Sequence, residues 1–445
     1  MDRASRSLGV IDASLLVVSS IVGAGIFLVS PYVAADVDSP TAFLATWVLG
    51  GVIALSGALS NGELGGMFPR SGGEYVYLSE AYGPALGFLS GWTSFWIGFP
   101  GSIAALAAGF GGHVAGMFGL SPRTSTAVAI GAIAALTLVN ALGLRPGKLL
   151  VNALTGTKLI AFAVLLGIGL VARQPATLAV PGGTAGTGGT HAGMAMALIP
   201  VLFAYSGWNA ATYVTGEMRD PSRGLGRALA LGTAMCIVLY VAVNATYLRA
   251  LPLSALRAAT SPARDTALRL GGEGAARLLS PLIAVCVLSS LQATVLVGPH
   301  VYHAMARDRL FFKPLAQVHA STRVPVVALS VQGLVSIVEL LSGRFDELLT
   351  FSMFAVVAFS TLTVAAVFVL RVRRPDGARP FRVPGYPFVP ALFVVINAWV
   401  LWSLLARGAL EALVGVCIVA TGIPAYAAFR AFARAPLDPQ EPLLR

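Results

Sequence analysis

Long apolar stretches separated by short polar loops dominate the chain. Each stretch is close to or longer than the length of about 20 residues that a helix needs to cross a bilayer. Twelve can be followed, with limits at 10–35, 41–68, 83–118, 122–142, 150–172, 192–217, 224–248, 275–305, 324–342, 347–371, 386–406 and 408–432. The pattern predicts an all-α polytopic membrane protein with twelve transmembrane helices and both termini on the same side.

Composition narrows the class of protein. Hydrophobic residues make up 56% of the 445 positions and charged residues only 11%, whereas soluble domains carry about 25% charged residues. A globular cytosolic enzyme is therefore excluded. The net charge of +11 lies in loops, without a basic stripe interleaved with aromatic residues. We therefore expect a lipid bilayer around the chain and no nucleic acid as a partner.

The distribution of lysine and arginine predicts the orientation. With the N-terminus inside, the inner loops and termini hold twenty of these residues and the outer loops hold nine. Five of the nine lie in one loop, 249–277, for which a short surface helix is predicted. Since cytoplasmic loops carry the excess of positive charge, we predict cytoplasmic termini in a multi-pass protein of the cell membrane.

The sequence gives no sign of a cofactor or a metal. Cys236, Cys286 and Cys417 lie far apart inside apolar stretches, without the spacing of a disulfide framework or a metal site. The first apolar stretch is too long for a cleavable signal and lacks a cleavage site, so we expect it to remain as the first span. Neither cofactor nor metal is expected.

Two spans carry helix-breaking residues in their middle. Gly23 and Gly25 flank a single residue in the first span, and Ser206-Gly207-Trp208-Asn209 follows Pro200 in the sixth. Glycine disfavours a helix interior by about 1 kcal/mol relative to alanine, which predicts unwound backbone at both places. Close packing of neighbouring helices is the other interpretation of small residues in a span.

Two such breaks, facing each other, have a definite chemistry. Backbone N–H groups at the start of a half-helix bind a carboxylate, and carbonyl groups at the end of the preceding half-helix accept hydrogen bonds from an ammonium. Together they suit the zwitterionic head of an amino acid. The first and sixth spans hold corresponding positions in two five-span halves, which points to a midplane site in an inverted-repeat transporter.

Four motifs carry a resemblance to known proteins. They are IVGAGIF (21–27), ELGGMFPRSGGEYVYL (63–78), FAYSGWNAATYVTGEMRDP (203–221) and YHAMARDRLFF (302–312). Over nearly its whole length the chain resembles the amino acid–polyamine–organocation superfamily, on the branch of the L-type amino acid transporters and their bacterial relatives. The resemblance implies a leucine-transporter-like fold in one transport domain, 1–445, with a 5+5 inverted repeat (about 10–172 and 192–371) and two extra helices (about 386–432).

The resemblance also implies a set of site residues. The substrate carboxylate would be bound by the backbone of three residues, Gly23, Ala24 and Gly25. The amino group would be bound by carbonyl groups at or near Ile21, Phe203, Ala204 and Ser206. Phe203 stands where the family has an aromatic gate over the substrate. Asn209 either holds the sixth helix against its neighbours or touches the substrate.

Loop residues bear on partners and on ion pairs. No cysteine occurs in residues 113–124, where heavy-chain-linked animal members have their disulfide partner, so no obligate heavy-chain subunit is expected. Glu63, Arg70 and Glu74 flank the inner end of the second span. We expect these three residues to form ion pairs that close the cytoplasmic side.

Lys158 is the one basic residue deep in a predicted span. Its insertion costs about 2.5–3.5 kcal/mol, so a function is predicted; snorkelling to the interface is the other interpretation. In sodium-coupled relatives of this fold a cation bridges the first and eighth helices near this depth. The resemblance implies that the Lys158 ammonium replaces this ion, reaching carbonyl groups at the first break and a hydroxyl of Ser289 or Ser290.

The predicted function is sodium-independent secondary transport of amino acids, with neutral L-amino acids as substrates, by alternating access through exchange or proton coupling. A cationic amino acid or amine exchanger of the same fold is the alternative, because carbonyl groups and aromatic rings can hold a cationic side chain. An intramembrane enzyme would need a catalytic cluster at bilayer depth, and a channel would need a filter repeat. The sequence supports neither of these two classes.

Overall fold

The computed structural model describes residues 7–23, 25–171, 191–342, 345–406 and 410–434, and α-helices dominate this part of the chain. The first ten helices are α1 Val10–Ile21, α2 Gly25–Leu28, α3 Ser30–Ala35, α4 Pro40–Met67, α5 Glu74–Tyr82, α6 Pro84–Thr93, α7 Phe99–Phe118, α8 Pro122–Ala141, α9 Leu144–Val171 and α10 His191–Ala204. They are followed by α11 Ala210–Tyr213, α12 Pro221–Ala250, α13 Leu253–Ala258, α14 Pro262–Val297, α15 Pro299–Arg307, α16 Val326–Ser342, α17 Phe345–Arg373, α18 Phe388–Ala406 and α19 Leu410–Arg434. A π-helical turn, Ser94–Gly98, joins α6 to α7.

The described helices are those of a membrane protein. Eight runs are long and apolar enough to cross a bilayer: Pro40–Met67, Pro84–Phe118, Pro122–Ala141, Leu144–Leu170, Pro221–Ala250, Pro262–Arg307, Phe354–Arg373 and Gly415–Phe432. Three shorter helices are also apolar, Val10–Ile21, Val326–Ser342 and Phe388–Ser403. The all-helical membrane class is confirmed. Twelve spans and the inverted repeat stay predictions.

Serine-proline pairs fix where several helices begin. Ser39 precedes Pro40, and its hydroxyl accepts a hydrogen bond from the Ala42 N–H at 3.1 Å. Ser121 precedes Pro122 and caps α8 in the same way, from the Thr124 N–H. The hydroxyl satisfies one of the N–H groups that the first turn leaves without a partner. Proline has no N–H of its own that would need a partner, and its fixed φ is that of a helix, so it fits the first position.

The loop 249–277, for which a short surface helix is predicted, contains two helical segments, α13 and the first part of α14. Arg257 of α13 donates hydrogen bonds to the carbonyl groups of Ala34 and Val37, both at 2.7 Å. These bonds fasten the loop to the end of α3. From Pro262 onward the loop belongs to α14, which is interrupted at Gly272, where φ is +72°.

Glycines allow α4 and α12 to pack closely. A Cβ atom added to Gly62 of α4 would lie 2.7 Å from the Cα atom of Gly226 on α12. A Cβ added to Gly51 would lie 2.7 Å from a side-chain carbon of Ile237. Backbones approach to such distances only where side chains are absent, as small residues permit in membrane helices.

One end of the bundle, called here the N-terminal face, carries the start of α1. The N–H groups of Ser7 and Leu8 donate to the carbonyl oxygen of Glu217, both at 3.1 Å, and the Arg219 N–H donates to Leu8 at 3.0 Å. Lys148 of α9 forms an ion pair with Asp12 of α1 at 2.9 Å. The beginning of α1 is therefore held by two parts of the chain that are far away in sequence.

Glu63 is the centre of a buried ion-pair network at the same face. Its side chain is 1% exposed and accepts two hydrogen bonds from the Arg371 guanidinium, at 2.9 and 2.7 Å. Arg379 lies 3.4 Å away, and the Val383 N–H donates to the same carboxylate at 2.8 Å. The expectation of an ion pair for Glu63 is thus confirmed, and the pair joins α4 to α17.

Arg70 forms the expected ion pairs, whereas Glu74 does not. Arg70 forms ion pairs with Glu80 and Asp308, at 3.5 and 3.6 Å. The expected ion pair of Glu74 is not formed among the described residues, where its carboxyl group accepts hydrogen bonds from two neutral side chains. The chain turns into α5 just before Glu74, and this turn aims the carboxyl group into the bundle instead of toward the arginines.

Replacing Arg371 tests the buried network. Arg371→Ala leaves the Glu63 carboxylate buried with only Arg379 and the Val383 N–H as partners, so we expect the folded state to lose about 3 kcal/mol. Arg374→Ala is the matched control, since Arg374 pairs with Glu80 while 47% exposed, where an ion pair contributes about 0–1 kcal/mol. Thermal unfolding of the detergent-solubilised variants measures both. Equal melting temperatures would contradict the assignment.

Candidate functional site

Two helices are interrupted at neighbouring places in the interior. The first interruption separates α1, which ends at Ile21, from α2, which begins at Gly25. The second lies between α10, which ends at Ala204, and α11, which begins at Ala210. Both unwound segments fall where the glycine pattern predicted them. Ala24, which was assigned to the substrate carboxylate, lies outside the described residues.

The two breaks are in backbone contact. Gly207 has a φ of +97°, and a Cβ atom there would lie 2.9 Å from the carbonyl carbon of Ser20. A Cβ on Gly25 would lie 3.1 Å from the Cα atom of Ala204. Glycine is required at position 207 for its backbone angle, and at both positions for the close approach. The breaks therefore form one site, lined on two sides by unwound chain.

Lys158 closes the end of α1. Its side chain is fully buried, and its ammonium donates to the carbonyl oxygens of Ser19, at 3.1 Å, and Val22, and to the Ser290 hydroxyl at 3.3 Å. An ammonium has three donors, and these three acceptors match them. The positive charge also lies at the C-terminal end of α1, where the helix dipole favours a cation.

Two serines of α14 complete this contact. The Ser290 hydroxyl lies within hydrogen-bond distance of the same carbonyl oxygens, 2.8 Å from Ser19 and 3.1 Å from Val22. The Ser19 hydroxyl is bonded to Ser289, whose hydroxyl lies 2.8 Å away. The structure thus brings together Lys158, Ser289, Ser290 and the first break. Their part in transport stays a prediction.

Tyr240 links the two breaks and was not predicted. Its side chain is fully buried in α12, and its hydroxyl lies 2.8 Å from the Ile21 carbonyl oxygen and 3.1 Å from that of Ala204. Both carbonyl groups had been assigned to the substrate's amino group. A carbonyl oxygen has two lone pairs. The Ile21 oxygen also accepts a hydrogen bond from the Gly23 N–H at 2.9 Å, so both of its lone pairs are used, whereas the Ala204 oxygen keeps one for a ligand. The hydroxyl of a buried tyrosine usually has a hydrogen-bond partner, and this was the one signal in the sequence.

Phe203 and Asn209 stand at opposite ends of the second break. The Phe203 side chain is 37% exposed, whereas the two residues after it are buried, and its carbonyl oxygen accepts a hydrogen bond from the Ser206 N–H at 3.0 Å. The Asn209 amide donates to Glu74 at 2.9 Å and to the Tyr213 hydroxyl at 3.1 Å. Asn209 therefore ties the sixth span to α5, while Phe203 is open to the surroundings of the break.

Comparison with known proteins identifies the family. The sequence model of the family described as amino acid permease matches residues 8–422. The chain belongs to this family. The resemblance to the amino acid–polyamine–organocation superfamily is confirmed, and so is amino acid transport as its function.

The relatives include exchangers and transporters from bacteria and animals. The serine/threonine exchanger SteT of Bacillus subtilis is 32% identical over 95% of this chain and 96% of its own length. The b(0,+)-type amino acid transporter 1 of Homo sapiens is 28% identical over 95% of this chain and 88% of its own. The cystine/glutamate transporter of Homo sapiens is 28% identical over 95% of this chain and 85% of its own length. The similarity thus covers both breaks and Lys158.

Removing one hydroxyl tests the link between the breaks. Tyr240→Phe leaves the ring in place but removes a hydrogen bond worth about 1 kcal/mol, so we expect substrate to bind about fivefold more weakly. Tyr247→Phe is the control on the same helix, because the buried Tyr247 hydroxyl has no hydrogen-bond partner among the described residues. Equilibrium binding of a labelled amino acid measures both. If both variants lost the same amount of binding affinity, the hydrogen bonds from Tyr240 to the two breaks would be unimportant for binding.

Proposed function

We propose that the chain is a sodium-independent secondary transporter of neutral L-amino acids, which works by alternating access through exchange or proton coupling. The observation that carries the proposal is the Lys158 ammonium, which joins two carbonyl groups of α1 to a serine of α14. A sodium ion is not needed where a fixed cation already bridges these two helices.

The head group of the substrate is held by backbone in this proposal. Main-chain groups of Gly23, Ala24 and Gly25 bind the carboxylate. Carbonyl groups near Ile21 and in the second break bind the ammonium, and the second lone pair of the Ala204 oxygen is one of these acceptors. The two unwound segments face each other, and this supports the assignment, because N–H donors and carbonyl acceptors then lie close enough together to bind one amino acid.

The proposed preference for a neutral side chain rests on charge. The positive charge of Lys158 beside the first break repels a cationic side chain. The name of the Bacillus subtilis relative, a serine/threonine exchanger, specifies two neutral amino acids. Both observations favour small neutral substrates over the cationic alternative.

We assign Phe203 to the gate. It is the exposed residue next to the buried Ala204 and Tyr205, at the start of the second break. A ring that is free to turn there closes over a bound amino acid without disturbing the packed residues behind it. The backbone contacts to the head group do not depend on it.

We extend the proposal to the architecture. The chain is a single transport domain of twelve spans, with repeats at about 10–172 and 192–371 and two further helices at about 386–432. Both termini are cytoplasmic, so the N-terminal face is the cytoplasmic face of the cell membrane. The protein works without an obligate heavy-chain subunit and is not an enzyme; the relatives are named as transporters and exchangers.

A valine at position 25 tests the site. Its Cβ would lie 3.1 Å from the Ala204 backbone, and a β-branched side chain would push the breaks apart, so we expect Gly25→Val to lose more than nine-tenths of uptake into liposomes. Gly112→Val is the control, because a Cβ there meets nothing within 4 Å. Normal uptake by a monodisperse Gly25→Val protein would remove the breaks as the binding site.

Replacing sodium by choline tests the role of Lys158. We expect uptake by the parent protein to be unchanged, since the ammonium stands in for the ion. Lys158→Ala should lose most activity while still purifying as a folded protein, and Lys313→Ala, in the turn before α16, should keep it. A strict sodium requirement of the parent protein would overturn this assignment.

A further inference from the structure

The carboxyl group of Glu74 joins two elements that belong to different parts of the bundle. Its Oε1 atom accepts a hydrogen bond from the Asn209 amide at 2.9 Å and another from the Ser360 hydroxyl at 2.7 Å. Asn209 ends the second break, and Ser360 lies in α17. Glu74 itself begins α5 and is only 6% exposed. One buried oxygen atom therefore connects the site to α17.

The arginines of neighbouring segments are bound elsewhere. Among the described ion pairs, Arg371 serves Glu63, and Arg70 serves Glu80 and Asp308. Arg373 of α17 donates to a backbone carbonyl group of α5. The groups bonded to Glu74 are both neutral donors, and both use the same oxygen. This arrangement suits a neutral carboxylic acid, whose carbonyl oxygen accepts both hydrogen bonds and whose other oxygen carries the proton.

The titratable groups that face Glu74 are phenols, Tyr77 on α5 and Tyr213 on α11. α17 contributes the Ser360 hydroxyl, and α6 contains no titratable residue. α15 carries His300, His303 and Arg307, and among the described residues none of the three forms a hydrogen bond or ion pair with the Glu74 carboxyl group. The acidic group that follows α15, Asp308, is engaged by the Tyr75 hydroxyl at 2.8 Å as well as by Arg70. The described surroundings of the Glu74 carboxyl thus supply polarity without a compensating charge.

Neighbouring backbone bonds tie the same two segments together. The Gly72 N–H donates to the Tyr213 carbonyl oxygen at 3.1 Å, and the Gly216 N–H donates to the Ser71 hydroxyl at 2.9 Å. Residues just before α5 therefore follow any movement of the segment after the second break. The hydrogen bond between Ser360 and Glu74 connects these two segments to α17.

We propose that Glu74, Asn209 and Ser360 form a proton-controlled latch of the transport cycle. With Glu74 protonated, the latch holds the segment after the second break against α17. When this segment moves away and water reaches the carboxyl group, the Glu74 O–H bond breaks, its electron pair stays on oxygen and the proton passes to water at the N-terminal face. The inference rests on the proposed function, since it concerns regulation of the same site.

The direction of the pH effect follows from burial. The pKa of the Glu74 carboxyl is raised to about 7, because removal from water disfavours the charged form more than the hydrogen bonds from Ser360 and Asn209 favour it. A carboxyl group exposed to water has an ordinary pKa of about 4.3. Protons therefore bind more tightly to the latched arrangement, and raising the pH through about 7 favours release.

The test measures exchange of labelled L-serine in liposomes as the pH rises from about 6 to about 8. We expect the parent rate to rise by up to about tenfold, following the ionised fraction of Glu74. Glu74→Gln keeps the hydrogen-bond acceptor but cannot ionise, so its rate should stay at the low-pH level. Glu80→Gln, on the same helix, should follow the parent profile. A Glu74→Gln profile equal to the parent's would overturn the latch.

A second measurement does not depend on transport. We expect the melting temperature of Glu74→Gln, relative to the parent, to rise as the pH increases from about 5 to about 8, because only the parent buries a charge at high pH. A hydrogen bond with a merely structural role would leave this difference constant, and a constant difference would overturn the latch. Absence of exchange for every amino acid would instead refute the proposed function, while the melting temperatures would still decide on the latch.

Discussion

Backbone groups that are freed where a helix unwinds inside a membrane must find partners within the protein, because the lipid offers none. This requirement organises the centre of the molecule. Lys158 and Ser290 contact the carbonyl groups at the end of α1, and Tyr240 contacts one carbonyl group from each break. Three long helices, α9, α12 and α14, are positioned by supplying these donors. The unwound segments are thus the points around which the bundle is assembled, as well as its candidate binding site.

The two breaks and the buried lysine could be predicted from sequence, because residues that destabilise a membrane helix stand out in an apolar span. Glycines in the middle of an apolar span weaken the helix, and a lysine at bilayer depth must be compensated. Gly25, Gly207 and Lys158 each break a rule for membrane helices, and the structure places all three at the breaks. The apolar stretches likewise predicted the helices, because a membrane demands length and hydrophobicity from each one.

Tyr240 and Glu74 show where prediction from sequence stops. A tyrosine in an apolar helix indicates at most that its hydroxyl has a partner, and only the fold reveals that the Tyr240 hydroxyl meets two carbonyl groups. Glu74 lies in a segment that also contains Arg70, so an ion pair was the natural expectation. The donors that it meets come from residues 135 and 286 positions away along the chain. Contacts across such distances depend on how helices pack, which hydrophobic periodicity does not encode.

The glycine contact between α4 and α12 has a consequence for how motion in this protein is observed. Gly62 lies against the Gly226 backbone, and Gly51 lies against the Ile237 side chain, so the two helices are packed as closely as their backbones allow. We treat α4 and α12 together as one rigid pair, called here the strut. We expect spectroscopic labels placed one on each of these two helices to keep a constant separation while other helices move. The strut therefore provides an internal ruler against which displacements of every other helix can be measured.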